Sequence, residues 1–264
     1  MNARPLITPG APVADQPDAA ATVKQLALDH LRLRLRPLNR ALRVLAQERA
    51  NRTAQLARPK QEQPSISAQH MLQLFEEIDA TANGDAMSAA SLVPNNSELA
   101  CEVKLRSDAE EHGITLPIDA MQHALALSEF EVNAVVVCAA PQLRSAYHRV
   151  FAFIHDDLNR LAPSTELLLL LEGSEIAAQM EQRAALAPHG KLLRSGLLQT
   201  PGEPSSELHR EFAMAPGVLA ALSSAETQWA SDYCDHELMR AARPLALSMF
   251  PDQIALEAIC QLLK

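Results

Sequence analysis

The chain has 264 residues, 48% hydrophobic and 3% aromatic, and a formal net charge of −9. Apolar side chains dominated by Ala and Leu suffice for one large domain or two modest ones and favour helix over sheet. Four widely spaced cysteines (Cys101, Cys138, Cys234, Cys260) with no CxxC pair argue against a disulfide scaffold, and no apolar run is long enough to span a membrane. The expectation is a cytoplasmic protein with free thiols and no membrane partner.

Charge is uneven along the chain. Residues 1–60 carry eleven Lys/Arg against four Asp/Glu, and residues 61–264 carry twelve against twenty-eight. A basic arm on an acidic body suggests an electrostatic role for the arm; the plainer reading is a solvated helix face.

Residues 1–22, rich in Pro and Ala with little to bury, are expected to be disordered. From Leu28 the leucines fall at 28, 31, 35, 38, 42 and 45, the spacing of a heptad seam. This predicts a helix over about 24–57, kinked near Pro37, since an internal proline costs roughly 3 kcal/mol. A helix starting at Pro37 is the alternative, and the period-two run LRLRLR at 31–36 suits a strand equally well. Arg32, Arg36, Arg40 and Arg43, with Leu38 and Leu42 of the seam, are the candidate partner-binding residues. The seam can make an oligomer. The arginines, Arg34 among them, can touch phosphates or an acidic partner, or cover the acidic body of the same molecule.

A linker follows at 58–67, then a short amphipathic helix at 68–80 through Met71, Leu74, Phe75 and Ile78, then a loop at 81–96. Asn96 or Ser97 can cap a helix that runs to His112 and stops at Gly113. Pro117 starts a helix carrying Ile118, Met121 and Leu125. Ser128 and Glu131 form a capping box for a helix that is apolar nearly all round, predicted to be the central buried one and to end at Pro141. The next helix, about 143–159, places Tyr147, Val150, Phe151, Ile154 and Leu158 on one face and leaves Arg144, His148, Asp157 and Arg160 to reach water. After Pro163 the punctuation predicts a helix at 165–171, a turn at Gly173, and a helix at 175–187 capped by Ser174 and closed by Pro188 and Gly190. Strands at 192–198 and 208–214 flank a polar loop, and a helix runs from Pro216 to about 223. Helix, turn, helix and hairpin is the order of a winged helix-turn-helix. The fold class is therefore mainly α with a small β-hairpin. Its parts are a disordered 1–22, a helical arm with linkers at 23–96, a winged-helix-like domain at 97–225 and a helical connector at 226–264 broken by Pro244 and Pro251.

The stretch LSEFEVNAVVVCAAPQLRSAYHRVFAFIHDDLNRLAPSTELLLLL, from Leu127 to Leu171, resembles the N-terminal winged-helix region of a family of bacterial AAA+ ATPases. There a helix beginning L-S-x-F-E ends in A-A-P-x-L, a Tyr-bearing helix ends in H/Q-D-D, and Pro-Ser/Thr opens the next helix. LLRSGLL (192–198) and REFAMAPGVLAAL (210–222) are similar to the hairpin and following helix of that region. Some relatives occur with contractile injection systems. The resemblance implies that an ATPase core follows, with ATP and Mg²⁺ bound only there. The chain is then either cut before such a core or a stand-alone relative, and the last helical pattern, running into Lys264 without a stop signal, favours the cut. No nucleotide-binding residue carries over, because PHGKLL (188–193) lacks the first glycine and the Ser/Thr of a phosphate loop.

Two clusters invite chemistry. YCDHELMR (233–240) gathers Cys234, Asp235, His236 and Glu237, but neighbours i and i+2 on a helix face different ways, so a surface helix is the plainer reading than a metal site. His155 beside Asp156 and Asp157 is a conceivable general-base pair; a structural role, with the aspartates bonding the following turn, is the plainer one. The chain itself is expected to be no enzyme and to hold no cofactor or metal.

Three readings remain: a non-catalytic interaction domain recruiting a protein partner for a AAA+ ATPase or contacting that ATPase's core, a DNA-binding winged-helix regulator, and an enzyme of unknown class. Helix 175–187 offers Arg183 as its only cation against Glu175 and Glu181. The loop 199–210 offers His209 and Arg210 against Glu203 and Glu207. Duplex DNA demands more positive charge, so nucleic acid is disfavoured and protein contact preferred.

Overall fold

The computed structural model describes residues 17–56, 71, 73, 75, 91–173, 176–202, 206–224 and 229. Helix α1 spans Pro17–Leu56. It begins inside the stretch expected to be disordered, which corrects that reading for residues 17–22. Proline at a first helical position loses no hydrogen bond, and the alanines that follow are the best helix formers.

Helix α1 also runs unbroken through Pro37, so neither a start at Pro37 nor a strand at 31–36 occurs. The reason is burial on more than one side. Leu31, Leu33, Leu35, Pro37 and Leu38 are all buried. Leu33 and Leu38 line one cavity together with Leu92 and Val136, and Leu31, Leu33 and Leu35 line another together with Leu143 and Tyr147. Alternating leucines thus satisfy two contacts of a single embedded helix, and each buried leucine contributes about 1.5–3 kcal/mol against the proline's cost.

The linker 58–67, the loop 81–90 and the connector 226–264, Trp229 excepted, lie outside the described residues. Of the short helix expected at 68–80, Met71, Gln73 and Phe75 are helical, with Met71 and Phe75 buried. Helix α2 (Asn96–Glu111) is capped by Asn95, one residue before the expected cap, because the capping box pairs Asn95 with Glu98. It stops at Gly113, whose φ of +66° suits glycine.

Helix α3 (Pro117–Ala124) has proline at its start. Helix α4 (Glu129–Leu143) carries the expected Ser128–Glu131 capping box and buries Phe130 to Val132 and Ala134 to Ala140. It does not end at Pro141. That proline sits in the last turn and removes only its own donor; the Arg144 N–H still bonds the Ala140 carbonyl at 3.0 Å.

Helix α5 (Ala146–His155) is shorter than expected because Asp156 turns left-handed at φ +57° and closes it. Tyr147, Val150 and Phe151 enter the core, whereas Leu158 is 52% exposed and does not. Arg144 reaches water; His148, Asp157 and Arg160 are half-buried.

The winged-helix unit follows. Helix α6 (Thr165–Glu172) is capped by Ser164 and ends at Gly173, φ +60°. Helix α7 covers Ile176–Ala185; its expected cap, Ser174, lies outside the described residues. The strand expected at 192–198 is instead a short helix, α8 (Lys191–Arg194), followed by β1 (Leu198–Gln199). Leu192 and Ser195 are both buried, and only a helical turn puts positions three apart on one face. Strand β2 (Ala213–Met214) pairs antiparallel with β1 in the register Leu198↔Met214. A bridge between Ser164 and Glu211 ties the hairpin to the start of α6. Helix α9 is Val218–Leu222. The arm and this unit share one hydrophobic core, in which Leu38, Leu42, Val135, Phe151, Leu168 and Phe212 meet.

Candidate interaction surfaces

The arm's basic residues divide into two groups. Arg34 and Arg40 turn inward. The Arg40 guanidinium donates to the Glu98 carboxylate at 2.7 and 2.8 Å and to the Val93 carbonyl at 2.7 Å. Arg34 pairs with Glu102 at 3.4 Å and with Glu129, and donates to Asn133 Oδ1 at 3.2 Å. Asn133 in turn donates to Glu172 at 2.9 Å, linking the arm to α6. Glu102 also accepts from Arg106 at 2.8 Å, and Arg106 reaches Asp119 on α3 at 3.0 Å.

His30 is fully buried, with Nε2 3.6 Å from Glu102. His30, then the guanidinium groups of Arg34 and Arg106, hold the Glu102 carboxyl down at about 2 against the opposing pull of burial. Farther along, Arg49 pairs with Asp156, and the Arg43 guanidinium lies 5.7 Å from the Phe75 ring centroid. Of the readings open for the arm arginines, covering the molecule's own acidic body is the one these contacts realise for Arg34, Arg40 and Arg49.

Arg32 and Arg36 form the second group. Both are exposed, and Arg32 pairs with the neighbouring Asp29 at 3.0 Å. Leu38 and Leu42 are completely buried in the chain's own core. These two side chains therefore present no surface to a partner, whereas Leu28 of the same seam is half-buried. Heptad spacing reports a helix face that needs covering, not which partner covers it. The carboxylate partners of Arg34, Glu102 and Glu129, carry no signal in the arm's own spacing. Their one signal was the Asn95-x-x-Glu98 box, continued by Glu102 and Arg106 at helical intervals along α2.

The helix-turn-helix presents a different surface. Met180 is 64% exposed on α7 and Leu170 is 49% exposed on α6. Ala177, Glu181 and Ala184 are exposed on the same side as Met180, Ala178 is exposed on another, and the helix's single cation, Arg183, is half-buried. At the wing, Arg210 donates to the Leu186 carbonyl at 3.4 Å, while Arg160 lies 3.7 Å from Glu211 and donates to the His209 carbonyl.

His155 sits at the base of this wing. Burial, and then nearby Arg160, push its ring down to about 4, so it is neutral at neutral pH. Its Nε2 contacts the Ala162 carbonyl at 3.3 Å, and Asp157 accepts from the Asn159 N–H at 2.9 Å. Asp157 thus serves the turn as the structural reading expected, while the Asp156 side chain pairs instead with Arg49. Cys234, Asp235, His236 and Glu237 lie outside the described residues. Among the described residues no three His, Cys, Asp or Glu side chains gather as metal ligands, and no helix is long and apolar enough to cross a membrane.

A protein-family model described as winged helix domain, variant, matches residues 22–217. No curated protein and no solved structure matches the chain.

Proposed function

Since the chain belongs to the variant winged helix domain family, we propose that it is a non-catalytic module that recruits or positions a protein partner. The observation that carries this reading is the outer face of α7. In a winged helix-turn-helix that reads DNA, the second helix of the motif enters the major groove and meets phosphates. Here it offers Met180, Ala177, Ala184 and Glu181 to solvent, and the wing arginines are engaged with the protein's own carbonyls and with Glu211. An apolar, slightly acidic face suits a protein surface and repels a polyanion.

The partner is one served by a AAA+ motor. Support for this comes from the resemblance of residues 127–171 to the region preceding such motors. The sequence holds no phosphate loop of its own, so ATP and Mg²⁺ belong to the motor and not to this chain.

A gel shift with labelled duplex at low salt tests the main reading. The full chain is expected to leave the duplex unshifted. A shift that weakens steeply with added salt would replace the reading with a DNA-binding regulator. Calorimetric titration with Mg-ATP is expected to give no heat of binding. A phosphate loop encoded beyond Lys264 would support the motor, and a stop codon there would remove it as a part of the same chain.

A further inference from the structure

We propose that the groove beside the first half of α1 is a docking site for an amphipathic helix of a partner protein whose outer face is acidic. This rests on the protein-interaction reading and names its surface and the chemistry of the ligand.

The groove lies between α1, α2 and the α4–α5 junction, with a cavity volume of ≈ 620 Å³. Leu31 and Leu35 form a buried apolar floor, with Leu28 half-buried and Leu143 36% exposed at the edges. Three exposed arginines stand around it: Arg32 and Arg36 on α1 and Arg144 at the end of α4. Among the described residues the one acidic side chain in the lining, Asp29, already accepts from Arg32 at 3.0 Å and Gln25 at 2.8 Å. From Leu28 to Asn39 the wall runs about 16 Å at 1.5 Å per residue, room for about three turns of a second helix.

A row of leucines at helical spacing accepts the apolar face of such a helix in the manner of other helix-in-groove pairs. The arginine rim selects for carboxylates on its flanks, where bidentate pairing gives both strength and orientation. This basic rim stands out on a chain that is otherwise acidic beyond residue 60. A nucleic acid fits poorly, because phosphates gain nothing from a leucine floor.

The test uses the full chain and two fluorescent synthetic peptides of about 18 residues, helical and with leucines on one face. One carries glutamates on the other face and the second carries lysines. The glutamate peptide is expected to raise anisotropy saturably, with affinity falling as salt rises, and the lysine peptide is not. Arg36→Glu with Arg32→Glu should weaken binding by about tenfold or more. Leu143→Glu should do the same while the circular dichroism stays unchanged, and Met180→Glu, on the helix-turn-helix, should have no effect. Equal binding of both peptides, or indifference to the arginine substitutions, overturns the proposal. So does release of the peptide by duplex DNA, self-association of the chain that these substitutions abolish, or displacement by a peptide of residues 250–264. The last three would assign the groove to nucleic acid, to a second copy or to the chain's own segment. A duplex shift that persists in the Arg32→Glu, Arg36→Glu variant would instead defeat the proposed function while leaving the groove intact.

Discussion

Arg40 of the arm donates to both oxygens of Glu98, at 2.7 and 2.8 Å, while the same carboxylate accepts the Asn95 N–H that opens α2, at 2.8 Å. One glutamate therefore closes a helix cap and anchors a second helix 58 residues away in sequence. Glu98 is 7% exposed, so its charge depends on these partners.

Removing either side of this pair should be costly. Arg40→Ala leaves a buried carboxylate without its cation and should lower stability by about 2–4 kcal/mol, read from urea unfolding midpoints. Glu98→Ala should cost a similar amount and loses the cap as well. An Arg40→Ala protein as stable as the parent would show that the arm is held by its leucines alone.

The leucines of the arm belong to the core. Leu38→Ala should cost about 2–5 kcal/mol, the range for an emptied leucine site. The folded variant should keep the parent's sedimentation mass, because Leu38 is completely buried within the chain. Val136→Asp places an unpaired charge in the centre of α4 and should abolish cooperative thermal unfolding. A dimer that Leu38→Ala converts to a folded monomer would contradict the intrachain role.

Acid should destabilise the protein in two overlapping windows. His155 titrates at about 4 in the folded state against 6.5 free, so its protonation favours the unfolded chain and stability falls as pH drops from 6.5 toward 4. Glu102 is held at about 2 against 4.5 free; its contribution is complete above 4.5 and is lost as pH falls toward 2. Urea midpoints collected from pH 7 to pH 3 should show the upper slope flattened by His155→Gln. Glu102→Gln should flatten the lower one. A His155→Gln profile parallel to the parent's would assign the upper slope elsewhere.

Two glycines should respond oppositely to alanine. A Cβ on Gly190 would stand 2.1 Å from the Ala185 carbonyl oxygen, whereas one on Gly202 meets nothing within 4 Å. Gly190→Ala should therefore cost about 1–3 kcal/mol by forcing α7 and α8 apart, and Gly202→Ala should be close to neutral. Thermal melts of the two variants give the comparison directly.

The sequence by itself determined the elements whose signals are local. The Ser128–Glu131 box, Pro117, Gly113 and Gly173 set helix ends because capping and left-handed turns depend on a few adjacent residues, and the apolar surface of α4 announced a buried helix. Tertiary structure decided what local chemistry leaves open. Pro37 is tolerated because both sides of α1 are buried, and Pro141 because it falls in a last turn. The expected strand at 192–198 gave way to helix α8 because Leu192 and Ser195 had to enter the core together. The same holds for the arm. Leucine spacing and positive charge were plain in the sequence, but whether they faced a partner or the chain's own acidic body depended on Glu98, Glu102 and Glu129. Those carboxylates lie 58 to 95 residues from the arginines they bind, and pairing at that range is fixed only when the core brings the helices together.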